Sequence, residues 1–320
     1  MAKITIIIVN YNSGARLLRC LQHLGVQSRP ADEIIIVDNA STDGSITKAA
    51  QSGVQFTLME PGANIGFAAA NNRAASKARG EWLAFLNPDA YPEPDWLASF
   101  SDGAARYPTV DAFGSTQLMD ADPARLDGAG DVCSVYGFYY RSGFGHLADV
   151  VREDMNCFAP CAAAAFYRKD RFMSLGGFDE RFFCYGEDVD LGFRHHLAGG
   201  ECVQLKAAKV RHEGSGVTGR HSAFSVYHGH RNRIWVYFKN TPPLLYFLTA
   251  PLRAFADIAF GLKAMKTGQG NAYLKALRDG YLGLHTFKAD RRRWSRKKNS
   301  RTIARQFVWS PLRVLTRRGK

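Results

Sequence analysis

Three short apolar runs, each closed by polar residues, limit what this chain can fold into. Ile6-Ile7-Ile8-Val9 runs into Asn10-Tyr11-Asn12, Ile34-Ile35-Ile36-Val37 into Asp38, and Trp82-Leu83-Ala84-Phe85-Leu86 into Asn87-Pro88-Asp89. Apolar runs without polar alternation mark strands covered on both faces, which is the signature of a parallel sheet between helices. The helical patterns lie between them: Leu17, Leu18, Leu21 and Leu24 form a stripe, and Phe67 to Ala78 is Ala-rich and stops at Gly80. Strands are expected at 4–9, 33–37, 54–58, 81–86 and 109–114, joined by right-handed crossovers into an α/β sheet. In such sheets ligands bind beyond the carboxyl ends of the strands, so the closing polar residues should gather at one edge.

The chain has 320 residues and 46% hydrophobic content, enough for the core of one large α/β domain with extensions. Its net charge of +13 is unevenly placed: residues 288–320 hold thirteen Lys or Arg and one acid. The preceding 287 residues are therefore close to neutral, and the basic character belongs to the C-terminal segment. Six cysteines without a C-x-x-C pair argue against a structural zinc site and for reduced, buried thiols. No long apolar segment opens the chain, which suits a cytoplasmic protein.

Residues 116–160 break the alternation, with Gly128, Gly130, Gly137, Gly143 and Gly145 among Tyr136, Phe138, Tyr139, Tyr140 and Phe144. Such a stretch is expected as a binding loop or lid. An apolar strand resumes at Cys161–Tyr167, a helix runs from Glu187 to the Gly199-Gly200 stop, and Cys202–Val210 is strand-like. Residues 223–286 have helical character, interrupted by Pro242-Pro243 and Pro251. Pro243 to Leu262 contains Arg253 and Asp257 and does not suit a membrane span. Leu248, Leu252, Phe255, Ala259 and Leu262 fall on one helical face, which would lie on a membrane or pack on the core. The expected organisation is a catalytic domain over 1–222, divided near 115, then a helical extension over 223–287 and a basic tail over 288–320.

Four places carry chemistry. Asp89 follows a buried strand, and a carboxylate there suits Mg²⁺ or Mn²⁺, ions that complete their shell with ligand phosphates; the alternative is a turn cap before Pro92. His212, beyond a strand and before Gly214-Ser215-Gly216, can share such an ion, although a lone His is more often a satisfied polar residue. Glu187, Asp188 and Asp190 open a helix, where acids suit the dipole. Three acids in four residues behind Phe182-Phe183-Cys184-Tyr185-Gly186 exceed what capping needs, and an apolar wall would raise a carboxylate toward a general-base pKa. Asp38, at a strand-to-helix turn, can accept hydrogen bonds from a base or ribose. No G-x-G-x-x-G follows the first strand and no P-loop occurs, which excludes the common dinucleotide and ATPase classes.

These segments together resemble the inverting glycosyltransferases of family 2, which have a GT-A type nucleotide-diphospho-sugar-binding fold. The resemblance spans residues 4–240. It rests on Val9-Asn10-Tyr11-Asn12, Ile36-Val37-Asp38-Asn39-Ala40-Ser41-Thr42-Asp43-Gly44, Asn64-Ile65-Gly66-Phe67, Phe85-Leu86-Asn87-Pro88-Asp89, Gly176-Gly177-Phe178-Asp179-Glu180 and Gly186-Glu187-Asp188-Val189-Asp190-Leu191, in that order. It implies a mostly parallel sheet flanked by helices, with a helical C-terminal extension. It also implies that Tyr11 and Asp38 hold the base and ribose, that Asn10, Asn12, Asn64 and Asn87 line the donor site, and that Asp89 and His212 hold a divalent metal (Mn²⁺ or Mg²⁺). Asp188, with Glu187 beside it, would act on the acceptor hydroxyl. Asn87 stands where the family's metal motif often has an acid, so metal binding would be weaker or depend more on His212. The Q-x-x-R-W motif of processive members is absent, favouring transfer of one sugar, and Asn87-Pro88-Asp89 with Arg231-Asn232 is similar to the rhamnosyltransferase-like branch.

The expected partners are a dTDP-, UDP- or GDP-linked sugar, a glycan acceptor on a lipid carrier, and an anionic membrane surface met by the tail, with Trp294, Phe307 and Trp309 among its cations. No nucleic acid is expected. This places the enzyme peripherally at the inner face of the plasma membrane. The rival readings are a nucleotidyltransferase-like enzyme and a catalytically idle fold that binds membrane or nucleic acid through the basic tail.

Overall fold

The computed structural model describes residues 2–214, 222–294 and 299–319. Ser215 and Gly216, and Arg296, Lys297 and Lys298 of the basic segment, lie outside the described residues. The first half runs β1 (Ile4–Asn10), α1 (Arg16–Gly25), β2 (Glu33–Asp38), α2 (Ser45–Ala49), β3 (Thr57–Met59), α3 (Gly66–Lys77), β4 (Trp82–Leu86), β5 (Ala90–Pro92), α4 (Trp96–Arg106) and β6 (Ala112–Met119). Then come β7 (Asp122–Gly128), β8 (Asp131–Cys133), β9 (Tyr139–Arg141), β10 (Met155–Asn156), β11 (Ala164–Arg168), α5 (Lys169–Ser174), α6 (Glu187–Leu197) and β12 (Cys202–His212). Helices α7 (Ala223–Asn240), α8 (Pro243–Leu248), α9 (Ala250–Lys266), α10 (Gly270–Leu282), α11 (Lys288–Trp294), α12 (Ser300–Ala304) and α13 (Pro311–Leu315) complete the chain.

The apolar runs do form buried strands, and their alternation sorts them between two cores. Ile4, Ile6 and Ile8 of β1 join Leu17, Leu21 and Leu24 of α1 and Phe100 of α4. Ile7 and Val9 face the other way, toward Ala68 and Ala74 of α3, Phe193 of α6 and Val236 of α7. With both faces covered, a polar residue inside a strand needs a partner, as the fully buried Thr5 has in Glu33, to whose Oε2 its Oγ1 donates at 2.6 Å. The ten-stranded sheet has the order β10-β12-β6-β11-β4-β1-β2-β3, with β5 on β12 and β7 on β6. It is parallel from β4 to β3 and again between β12 and β6, while β11 runs antiparallel to both β4 and β6. The sheet is thus more mixed than the crossover pattern of the first half suggested.

Several strand boundaries differ from expectation, with β11 starting at Ala164 rather than Cys161 and β12 running on to His212. The third strand is Thr57–Met59 rather than 54–58, and β6 continues to Met119 through Ser115, Thr116 and Gln117. Those polar residues are buried because the sheet environment satisfies them: Ser115 Oγ accepts from Trp96 Nε1 at 2.8 Å and Thr116 Oγ1 donates to Leu205 O at 2.9 Å. Residues 116–160, expected as irregular, contain the end of β6 and the strands β7 to β10.

The basic C-terminal segment is stitched to the domain rather than detached from it. Trp294, Ile303, Phe307 and Val308 are buried. The Phe307 ring lies 5.8 Å from that of Phe193 and 5.7 Å from that of Tyr237. Val308 N donates to Cys133 O at 2.8 Å. Of the three aromatic residues expected to face a membrane there, Trp294 and Phe307 are core residues and only Trp309 is exposed. Among the described residues no helix is long and apolar enough to cross a membrane.

Candidate active site

The carboxyl ends of β1 and β2 are level, with Asn10 paired to Asp38. Asn10 is fully buried, and its Nδ2 lies 2.7 Å from Asp38 Oδ1, 3.0 Å from Ser41 Oγ and 2.9 Å from Ser45 Oγ. It therefore orders the following turn from below and does not face the opening. Ser41 closes the same turn: its Oγ donates to Asp38 Oδ1 at 2.6 Å and its N to Asp38 Oδ2 at 3.1 Å. Asn12 Oδ1 accepts from Thr42 N at 2.8 Å, bracing the β1 loop against the β2 loop. Ala40 (φ +60°) and Asn12 (φ +47°) adopt left-handed backbone, uncommon for residues with a Cβ and frequent where a site constrains the chain. Above this frame Tyr11 and Asn64 are exposed and Asn12 and Asn87 are partly so, leaving their side chains accessible.

Asp89 and His212 come together because β5 lies antiparallel on β12, with Ala90 paired to His212. His212 Nε2 is 3.3 Å from Asp89 Oδ1, and His212 Nδ1 is 2.7 Å from Asp127 Oδ2. Asp127 also pairs with Arg141, whose Nη1 is 3.4 Å from His212 Nδ1. All three of His212, Asp89 and Asp127 are buried. Burial works against the charged imidazole, but the Asp89 carboxylate and the Asp127 hydrogen bond outweigh it and raise His212 to about 9.

Beyond Arg141 lies a second acidic cluster. Arg141 is paired with Asp131 across the β8–β9 ladder, and its charge acts on Asp127, Asp131 and Asp188 together. Asp131, Cys161 and Asp188 offer ligand-type atoms all within 4.8 Å of one another. Asp188 begins α6, where its Oδ2 accepts from Ala162 N at 3.1 Å and its Oδ1 from Val189 N at 2.8 Å. Burial raises the Asp188 pKa while these two N–H groups restrain the rise. Burial, and then the Asp188 charge, push Asp131 and Glu187 well above the usual carboxylate range. Glu187 is buried and its Oε2 has no hydrogen-bond partner, whereas Asp188 is partly exposed. Of the two adjacent acids, Asp188 is the one that can reach a ligand.

The loop leading into Asp188 is held in a costly backbone shape. Phe183, Tyr185 and Gly186 have φ of +67°, +69° and +87°. A Cβ at Gly186 would fall on the hydroxyl of Tyr139, so the close approach and the dihedral both require glycine. Asn232, fully buried on α7, donates from Nδ2 toward the carbonyls of Phe182 (3.0 Å), Cys184 (2.8 Å) and Tyr185 (2.7 Å).

A divalent cation fits Asp89 and His212 better than it fits the second cluster. A hard cation prefers carboxylate oxygen or imidazole to thiol, and burial pushes the Cys161 thiol up to about 12, so it stays protonated. His212 also has the carboxylate behind its other nitrogen that metal-binding histidines usually have.

A mixed α/β sheet whose strand ends carry Asp38 and the Asp89–His212 pair, with the accessible Asp188 opening α6, is an architecture of the GT-A type of glycosyltransferase. The chain belongs to glycosyl transferase family 2, whose sequence profile matches residues 5–175. It is 29% identical over 250 residues to the N-acetylglucosaminyl-diphospho-decaprenol L-rhamnosyltransferase of Mycobacterium tuberculosis, covering 71% of this chain and 81% of that one. The O-antigen biosynthesis protein RfbC of Myxococcus xanthus is 32% identical over 225 residues, 65% of this chain and 17% of that protein. Among solved structures, the mannosyltransferase PcManGT from Pyrobaculum calidifontis, in complex with GDP-Man and Mn²⁺, superposes with a TM-score of 0.55 at 20% identity, covering 96% of this chain and 87% of that one. GalNAc-T7 with UDP, GalNAc and Mn²⁺ gives 0.61 at 16% identity, covering 75% and 48%. These two likenesses concern the fold.

Sequence reasoning named Asp89, His212, Asp188 and Asp38 but missed Asp127, Asp131, Tyr139 and Arg141. All four lie in the Gly and aromatic stretch expected as a loop or lid. The available signal was Asp127-Gly128-Ala129-Gly130-Asp131, two acids flanking paired glycines.

Proposed function

We propose that this chain transfers a single sugar, rhamnose from dTDP-rhamnose, to an acceptor hydroxyl with inversion, on a lipid-linked acceptor in cell-surface polysaccharide synthesis. The observation that carries the reading is the arrangement about Arg141, which pairs with Asp127, the partner of His212, while its charge also acts on the accessible Asp188. Tyr11 and Asp38 receive the base and ribose, with Asn12, Asn64 and Asn87 along the donor. Asp188 accepts the proton of the attacking hydroxyl as the new bond to the anomeric carbon forms and the bond to the diphosphate oxygen breaks. Asp89 and His212 would hold Mn²⁺ or Mg²⁺, which supplies positive charge to the departing diphosphate. Attack from the face opposite the diphosphate gives inversion. The donor and acceptor classes are drawn from the similarity to the mycobacterial rhamnosyltransferase.

The test incubates purified protein with dTDP-rhamnose, UDP-sugars or GDP-sugars, Mn²⁺ and a diphospho-prenol-linked N-acetylglucosamine. The expected result is one added rhamnose with the anomeric configuration opposite to that of the donor. Transfer from another donor would correct the sugar, and no transfer or hydrolysis with any donor would return the chain to the idle reading.

A further inference from the structure

Helix α9 turns charged groups toward the protein and a stripe of large apolar residues outward. Its protein-facing side carries the polar groups: Asp257 pairs with Arg233 and accepts from Tyr281 Oη at 3.1 Å, while Arg253 donates to Tyr246 O and Thr249 Oγ1, each at 2.6 Å. Ala256 and Ala264 and the half-buried Leu252 and Phe260 complete that side, the Phe260 ring lying 5.0 Å from that of Phe138. The outward side carries Phe255, Ile258, Leu262 and Met265, spaced three, four and three residues apart and so confined to one stripe. Leu244, Phe247 and Leu248 of α8 extend the exposed apolar set. All seven are more than half exposed, from 52% at Leu262 to 74% at Phe247. A surface helix normally turns its large apolar residues inward, and an exposed apolar set of this size on two successive helices marks a surface that meets something other than water.

The charges around the stripe select the partner. Lys263 and Lys266 are exposed beside its C-terminal end, and Asp257, the one acid in residues 243–266, is engaged by Arg233. Residues 288–320 add a balance of +12. Lysines flanking an apolar stripe can lay their stems along it and keep their ammonium groups among anionic headgroups. An isologous contact between two copies would instead bring the same cations to one rim.

We infer that the exposed face of α8 and α9 is a docking surface for an anionic lipid bilayer, in which the helices lie in the headgroup plane without crossing it. The inference does not depend on the proposed reaction, because its test involves no turnover. Full-length protein is sedimented with phosphatidylcholine vesicles, with and without phosphatidylglycerol, beside the triple variant Phe247→Ser, Phe255→Ser, Ile258→Ser. The wild type should bind the anionic vesicles and be released from them by salt, and the triple variant should bind at least tenfold more weakly with an unchanged thermal midpoint. Charge reversal, Lys263→Glu with Lys266→Glu, should weaken anionic binding while leaving the fold intact. Unchanged binding by the triple variant, or binding indifferent to phosphatidylglycerol, would overturn the proposal. A wild type that ignores vesicles but elutes as a dimer, made monomeric by the triple substitution, would assign the face to self-association instead.

Discussion

His212 Nδ1 lies 2.7 Å from Asp127 Oδ2, so the side of the ring that faces away from Asp89 is fixed by a carboxylate. A carboxylate accepts, and the proton on this contact therefore belongs to Nδ1, which leaves Nε2 as the atom directed toward Asp89. Partners of this kind typically contribute about 10–100-fold in metal affinity. Asp127→Asn should weaken Mn²⁺ binding by about that factor, read by electron paramagnetic resonance of free Mn²⁺ in the absence of donor. His212→Ala should weaken it further. If His212→Ala has no effect the pair is not the metal site, and if only Asp127→Asn has none the positioning role fails.

Asp188 and Glu187 are neighbours in sequence but differ in access. Asp188→Asn keeps the shape and one acceptor oxygen, enough for the Ala162 or the Val189 N–H but not for both, and cannot take a proton. Turnover should fall about a hundredfold or more, with donor affinity by calorimetry nearly unchanged. Glu187→Gln should retain most activity, because its buried carboxyl is not presented to a ligand. The reverse ranking of the two variants would transfer the base role to Glu187.

The raised carboxyls also predict how stability responds to pH. Burial and the Asp188 charge place Glu187 well above its ordinary value, so the folded state binds its proton more tightly than the unfolded state does. By linkage this contribution is complete below the ordinary glutamate pKa of about 4.3 and is lost as pH rises through the higher folded value. Thermal midpoints of the wild type should decline across that window, and Glu187→Gln should flatten the decline. A wild-type profile that climbs through the same interval, or one unaltered by the substitution, would contradict the assignment.

How far the sequence revealed the site follows from which interactions are local. β1, β2 and β4 were legible because full burial leaves an uninterrupted apolar run, and Asp38 and Asp89 were legible because they end such runs. β6 beyond Gly114 was not, since Ser115 and Thr116 look like loop residues until Trp96 and Leu205 are brought beside them. Asp127 and Asp131 acquire their roles only through His212 and Asp188, 85 and 57 positions away along the chain. The expected stripe on α9 was only partly right, since Phe255 and Leu262 are exposed but Leu252 packs on the core and Ile258 and Met265 complete the outward face; periodicity is silent on which way an apolar face turns. Trp294 and Phe307 show the converse: cationic neighbours suggested a surface, and packing on the domain core decided otherwise.

Packing of the C-terminal segment also bears on α7, whose Asn232 side chain clasps the loop before Asp188. One amide reaches three carbonyls, those of Phe182, Cys184 and Tyr185, in a segment where Phe183, Tyr185 and Gly186 all have positive φ. Such dihedrals persist only where the surroundings over-determine them. Asn232→Ala removes both donor hydrogens from a fully buried position, leaving Phe182 O with only Arg231 Nη2 and Cys184 N, at a cost of about 1–3 kcal/mol. Asn232→Asp should be worse, because a carboxylate would face the same carbonyl oxygens with no donor between them. In the folded fraction of Asn232→Ala, kcat should fall while donor affinity changes little, since the loop carries Asp188 and not the Asp38 turn. A thermal midpoint and kcat both equal to wild type would show that α7 does not hold the loop, and equal losses of kcat and donor affinity would show that its effect is not confined to the base.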